Sequence, residues 1–309
     1  MEAGRSSISA LVTAFSRAYH NAHGSPRIFS DPLAGRMFAE EERRFLEQTL
    51  SGLVRMVNPE LAARGPDQAT ALACVMQDQN GPITLSRSRY AEDCLEKAVK
   101  KGVRQYVIVG AGLDTFAFRR PDLLKRLEVF EVDQPDTQKS KCQRLARLGS
   151  GFPKQLHFVP VVLATDILDR ALWRSSYDPR QPGFFSWLGG TCYQTREVVF
   201  ATLRAIARVA APGSSIVFDY VDQDAFDARK AARRMQVMQA IASQAGEPMQ
   251  AWFTPRDLPW ELQMLGLDLR EDLGPAEIEQ RYFRNRKDGY HAFEHVHLAA
   301  AWSVDRRKG

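Results

Sequence analysis

The sequence predicts an α/β protein built on a mainly parallel, doubly wound sheet, with a helical cap ahead of it. Three observations carry this. From residue 86 onward, short apolar runs rich in β-branched and aromatic residues alternate with helical stretches, the pattern of strands buried on both faces and joined by helices. Residues 1 to 85 lack such runs and read as helical. The first apolar run passes directly into Gly110-Ala111-Gly112, where a sharp turn at a strand's carboxyl end brings bare backbone close to a ligand.

In the cap, Leu11, Phe15 and Ala18 share a helical face, as do Leu46, Leu50 and Leu53, with loops at Gly24-Ser25-Pro26, Asn58-Pro59 and Gly81-Pro82. An amphipathic helix follows from Ser86, its stripe made by Tyr90, Cys94, Leu95, Ala98 and Val99 and its stop by Gly102. Strands are expected at 106–109, 127–132, 157–162, 184–188 and 216–220. A helix over 195–210 has Thr195 as N-cap and Glu197 in its first turn, and Pro212-Gly213 ends it. A long helix is expected over 224–245 and a last strand over 297–304. The expected organisation is a cap or lid over 1–85, then a cofactor-binding domain over 86–309 with a helical insertion at about 222–262.

Composition is that of a globular chain: 309 residues, 44% hydrophobic and 26% charged. The net charge of +5, from 42 basic and 37 acidic residues, is spread out and densest at Arg281–Lys287 and Arg306-Arg307-Lys308. No basic stripe is interleaved with aromatics, so no nucleic-acid partner is expected. Cys74, Cys94, Cys142 and Cys192 form no Cys-x-x-Cys pair, which argues against a zinc site and a disulfide framework. No apolar run reaches the roughly 18 residues of a membrane span, and Met1–Ser16 lacks a signal peptide's apolar core. A cytoplasmic monomer or homodimer acting on a small molecule is the expectation.

The turn has a second half. Asp133 ends the next apolar run, 21 residues beyond Gly112, where a carboxylate can accept both hydroxyls of a ribose. This pairing suits an adenosine cofactor and leaves NAD and S-adenosyl-L-methionine open, with a purely structural turn as the bland alternative. Two details favour S-adenosylmethionine. The third glycine of the dinucleotide fingerprint is replaced by Thr115. Asp114 lies where a pyrophosphate would meet a helix N-terminus and would repel it, whereas an ammonium or sulfonium would not be repelled.

Arg87-Ser-Arg89-Tyr-Ala-Glu-Asp93, Gly102 to Asp114 and Glu131-Val-Asp133-Gln-Pro135 together resemble the leucine carboxyl methyltransferase family. Asp31-Pro-Leu-Ala34, Phe184 to Gly189 with Tyr193, Pro212-Gly-Ser214 and Arg281-Tyr-Phe283 extend the resemblance over nearly the whole chain. It implies a class I methyltransferase fold, seven strands with the last antiparallel, plus a helical cap. It also implies that Arg87, with Arg89 as second choice, binds the methionine carboxylate, bidentate pairing being what a guanidinium offers. Gly110, Ala111, Gly112 and Asp114 would then face the methionine portion and Asp133 the ribose. The sequence departs from the family in two places. Val162-Leu163 stands where many members have an acid facing adenine, with Asp166 four residues late, and Trp187-Leu188 replaces Ala-Glu. The cofactor side is then expected to rest on backbone and apolar packing at Val162, Leu163 and Leu188, or on Thr165-Asp166 as a substitute after a loop shift.

Methyl transfer from an activated donor needs alignment and desolvation more than a catalytic dyad. Candidate acceptor-side residues are Trp187, Thr191 and Tyr193, with core packing as the alternative for the aromatics. Arg17 and His20 of the cap can reach over the pocket. Met235 and Met238, beside Gln239, line a helix's apolar face. His291, His295 and His297 carry no metal signature; His291 or His295 offers a base or substrate contact, and His297 begins the last strand. The leading expectation is O-methylation of a small carboxylate or hydroxyl compound of secondary metabolism. The alternatives are intramolecular cyclisation of S-adenosylmethionine, a nicotinamide-dependent dehydrogenase, and a non-catalytic cofactor-binding partner protein.

Overall fold

Strand β1 (Gln105–Val109) is buried along its whole length and splits its side chains between two cores, Val107 and Val109 on one face, Tyr106 and Ile108 on the other. That division is what the period of two in a strand gives when both faces are covered. The computed structural model describes residues 8–149 and 151–304. The basic tail Arg306-Arg307-Lys308 lies outside the described residues, as do the first seven residues of Met1–Ser16.

Ahead of β1 stand the helices α1 (Ile8–His23), α2 (Glu40–Gly52), α3 (Val54–Val57), α4 (Pro59–Ala63), α5 (Gln68–Asp78) and α6 (Asn80–Lys100). Phe15, Leu46, Leu50, Leu72 and Val75 give the cap its own apolar cluster. After β1 come α7 (Phe116–Arg119), α8 (Pro121–Leu124), β2 (Glu128–Asp133), α9 (Pro135–Arg147), β3 (Leu156–Pro160), α10 (Leu168–Trp173) and β4 (Gly183–Trp187). The chain continues through α11 (Arg196–Val209), β5 (Ser215–Val221), α12 (Arg233–Gln244), α13 (Leu258–Leu265), β6 (Leu267–Leu273), α14 (Pro275–Ile278) and β7 (Val296–Ser303). Among the described residues there is one seven-stranded sheet, ordered β3-β2-β1-β4-β5-β7-β6, with β7 antiparallel to both neighbours. Leu168, Leu203, Ile206 and Leu262 cover one face; Leu85, Leu95, Phe116 and Ile278 cover the other. Each such buried side chain contributes ~1.5–3 kcal/mol.

Three expectations change. The helix expected from Ser86 begins at Asn80, because Pro82 fits a first helical turn, where no N–H is required. A Cβ on Gly81 would lie 2.1 Å from Met76 O, so α5 and α6 meet too closely for any other residue. The single helix expected over 224–245 is broken. Asp222 accepts from Asp224 N and Ala225 N to cap a short turn, and Ala232 N is drawn to His295 Nε2 (3.0 Å) before α12 begins. The edge strand β6 has no counterpart among the expected apolar runs, since Asp268, Arg270, Glu271 and Asp272 dominate it. Among the described residues no helix is long and apolar enough to cross a membrane.

Candidate functional site

The sheet reverses its winding between β1 and β4, and a cleft of about 550 Å³ opens at the carboxyl ends of these strands and β2, the place where open α/β sheets bind ligands. Gly110 and Gly112 adopt φ of +67° and +50°, which costs other residues roughly 1–2 kcal/mol. A Cβ on Gly112 would also stand 3.2 Å from Ala10 of α1. Gly110 N and Ala111 N both donate to Val132 O, at 2.8 and 3.1 Å. Gly112 N donates to Asp133 Oδ2 at 2.5 Å and Gln134 N to Asp133 Oδ1 at 2.7 Å. Backbone thus holds the carboxylate at the cleft wall. Burial raises its pKa, and those two N–H bonds oppose the rise.

The turn leaves no bare helix N-terminus for a pyrophosphate. Asp114 Oδ1 accepts Phe116 N at 2.6 Å, which places a carboxylate at the start of α7. Thr115 is buried and donates its hydroxyl to Asp31 Oδ2 at 2.8 Å.

Arg87 enters the cleft from α6. Its Nη1 pairs with Asp219 Oδ2 of β5 at 3.1 Å, and its Nη2 donates to Thr13 Oγ1 of α1 at 3.4 Å. Asp219 Oδ1 in turn accepts Gly189 N at 2.6 Å. Gly189 has φ +69°, and a Cβ there would lie 2.4 Å from Arg87 Nη2, so bare backbone is pressed against the guanidinium. Arg89 is exposed, pairs with Asp93 and lies outside the cleft.

Across Thr13, Arg87, Gly189, Tyr193 and Glu247, which border both spaces, the cleft adjoins a smaller chamber of about 90 Å³. Met235, Met238, Met249, Val221 and Val296 wall it. Of the expected acceptor-side residues, Tyr193 lies between the two spaces. Thr191 is buried at the chamber wall with its hydroxyl committed to Asp219 O at 2.6 Å. Trp187 is corrected. It is 1% exposed and packs with Val109, Val132 and Phe185 in the core, and the loop folds back over it so tightly that a Cβ on Gly190 would meet Trp187 Nε1 at 2.4 Å.

Val162 and Leu188 border the cleft, whereas Leu163 packs against the core beneath it. Asp166 does not replace the missing acid: its Oδ2 accepts Val162 N at 2.7 Å and closes its own exposed turn. Arg17 does reach the cleft, pairing with Asp31 (2.8 Å) and donating to Leu113 O (2.7 Å). His20 does not; it is fully buried, accepts Ile28 N at 2.8 Å, and is kept neutral by burial and by Arg286, its pKa lowered to about 4. His291, His295 and His297 border neither space, and Gln239 is tied to Ala225 O. Among the described residues no group of three or more His, Cys, Asp or Glu is disposed to hold a metal.

Thr13, Asp219 and Glu247 were not legible as site residues. Asp219 did carry a signal, as a lone carboxylate inside an apolar run that must be buried on both faces.

Residues 10–207 match the leucine carboxyl methyltransferase family pattern. YktD of Bacillus subtilis strain 168, provisionally named an S-adenosyl-L-methionine-dependent methyltransferase, is 38% identical over 97% of this chain and 99% of its own. A Mycolicibacterium gilvum protein of the same provisional name is 32% identical over 70% of this chain and 67% of its own. In fold, the chain is similar to a crystal structure from Thermobifida fusca described provisionally as a methyltransferase, with TM-score 0.56, 13% identity, and coverage of 98% of this chain and 97% of that one.

Proposed function

The chain belongs to the leucine carboxyl methyltransferase family and is an S-adenosylmethionine-dependent methyltransferase, and from that premise we propose that it methylates an oxygen of a small molecule of secondary metabolism. In this reading the donor occupies the cleft at Gly110–Gly112 and the acceptor the adjoining chamber. The observation that carries it is the shared border: Arg87, Gly189 and Tyr193 face both spaces at once.

The residues present fit the donor. Asp133, anchored by Gly112 N, retains acceptor capacity for ribose hydroxyls. Arg87 uses two of its five donors on Asp219 and Thr13, leaving others for a methionine carboxylate. Asp114 offers negative charge toward an ammonium. Val162 and Leu188 give adenine apolar surface in place of a carboxylate. When bound, S-adenosylmethionine supplies an electrophilic methyl on a positively charged sulfur. What remains for the chain is to orient the acceptor and keep water out. The cap segment 1–85 acts as the roof, through Thr13 and Arg17, and the insertion around 222–262 supplies the acceptor wall through α12.

Calorimetric titration tests this. S-adenosylmethionine and S-adenosylhomocysteine should bind and NAD should not. Asp133→Ala should weaken S-adenosylhomocysteine by ~10-fold or more, the scale of a lost charge-assisted hydrogen bond. Tight NAD binding would overturn the donor assignment, and an unchanged affinity in the variant would remove Asp133 from it.

A further inference from the structure

We propose that the chamber beside the donor cleft takes a compact, uncharged, apolar acceptor bearing a hydroxyl group, and that Glu247 receives the hydroxyl proton. This rests on the methyltransferase reading above and narrows it from oxygen acceptors in general to neutral alcohols or phenols.

Size comes first. The chamber holds about 90 Å³ against about 550 Å³ for the cleft, so the acceptor is small. Chemistry comes second. Met235 and Met238, both buried, face the space from α12, Met249 from the loop after it, and Val221 and Val296 from β5 and β7. Unbranched thioether chains mould to an apolar body of irregular shape.

Charge decides between a hydroxyl and a carboxylate. Among the described residues lining the chamber the one cation is Arg87, which faces Asp219 at 3.1 Å in a pair about one-tenth exposed. Asp219 also accepts Gly189 N, and Thr191 donates to the Asp219 carbonyl. The Cys192 thiol, buried in the wall, is pushed up to about 12 by burial and so stays neutral. A carboxylate acceptor would lose its water here and bring a second negative charge up to Glu247 at the shared border.

Glu247 is suited to a hydroxyl for the same reason. Its Oε2 accepts Ser9 N in the first turn of α1 at 3.1 Å, which fixes the carboxylate between the two spaces. A carboxylate accepts several hydrogen bonds, so a hydroxyl arriving from the chamber has an acceptor at the point of transfer. Glu247 takes the hydroxyl proton as the acceptor oxygen bonds to the methyl carbon and the carbon–sulfur electron pair stays on sulfur. One positive and one negative charge are cancelled together, and no other reactant is needed.

Matched probes test the proposal: 4-methylphenol, 4-methylbenzoate and 4-methylaniline, titrated into protein saturated with S-adenosylhomocysteine and assayed for S-adenosylhomocysteine release with S-adenosylmethionine. The phenol should bind and turn over at least ~10-fold better than either partner, the scale set by a buried group left unpaired. Met238→Trp, which fills the chamber, should weaken the phenol ~10-fold or more while S-adenosylhomocysteine affinity holds. Glu247→Gln should keep phenol binding and lower kcat by ~100-fold or more. Preference for the benzoate or aniline, no response to the phenol, or wild-type turnover by Glu247→Gln would overturn the proposal. Failure of S-adenosylhomocysteine to bind would instead overturn the donor reading beneath it.

Discussion

Arg17 and Asp31 form a buried ion pair, Nε to Oδ2 at 2.8 Å, that fastens the cap to the glycine turn. The same Asp31 oxygen accepts the Thr115 hydroxyl, and Arg17 Nη2 donates to Leu113 O, so both partners grip the segment just after Gly112. Asp31 also accepts Ala34 N at 2.9 Å and Leu33 N at 3.2 Å. Burial pushes its pKa up, and the charges of Arg17 and Arg119 outweigh that and hold it below the usual carboxylate range. A residue over eighty positions upstream thereby sets the shape of the donor cleft.

Removing one partner of such a pair leaves a buried charge unmatched, at ~3–5 kcal/mol. Asp31→Ala should therefore lower the unfolding free energy measured in urea by that amount and weaken S-adenosylhomocysteine binding with it. Asp31→Asn, which keeps the shape and part of the hydrogen bonding, should lose less on both counts. An unchanged midpoint in Asp31→Ala would show that the pair does not fasten the cap.

Gly189 offers a second handle on the cleft. An alanine there takes a left-handed φ of +69° and brings a Cβ within 2.4 Å of the Arg87 guanidinium. The backbone strain alone is roughly 1–2 kcal/mol. The guanidinium, at the end of a flexible side chain, should yield by swinging off Asp219. Gly189→Ala should therefore resemble Arg87→Ala in binding, each losing ~10-fold or more of S-adenosylhomocysteine affinity, and combining the two should add little. Full additivity in the double variant, read by calorimetry, would separate the two residues.

The donor half of the site was readable because it is local in sequence. Gly110, Gly112 and Asp133 sit on adjacent strands joined by one short crossover, and strand-turn spacing alone puts them side by side. Asp219 and Arg87 lie 132 positions apart, and nothing in either neighbourhood announces the pairing. Glu247 reaches Ser9 across 238 positions. Trp187 misled for a related reason: an aromatic at a strand's end reads the same whether it faces a cleft or, as here, the core. The sheet's polar edge β6 was hidden because hydrophobic alternation is weak where one side of a strand has no neighbour. The break before α12 was hidden because His295, far along the chain, supplies the acceptor for Ala232 N.

His297 should make stability fall as the pH rises above neutrality. The ring is stacked on Tyr220, with Asp222 3.6 Å from Nε2 and Asp272 3.4 Å from Nδ1. Burial works against its charge, yet the two carboxylates prevail and raise its pKa from 6.5 to about 9. A group whose folded pKa lies above its unfolded value binds more protons in the native state, so its stabilising contribution is complete below the unfolded pKa and fades as pH rises toward the folded one. For His297 that contribution is whole below about 6.5 and gone above about 9. Glu131, raised to about 7 by burial despite Lys141, adds a decline of the same sign at lower pH. Comparing His297→Gln with the wild type cancels that common term. Urea unfolding between pH 7 and 9 should show the wild type losing stability relative to the variant across the whole interval. Parallel stability curves would show that His297 is not held charged between Asp222 and Asp272.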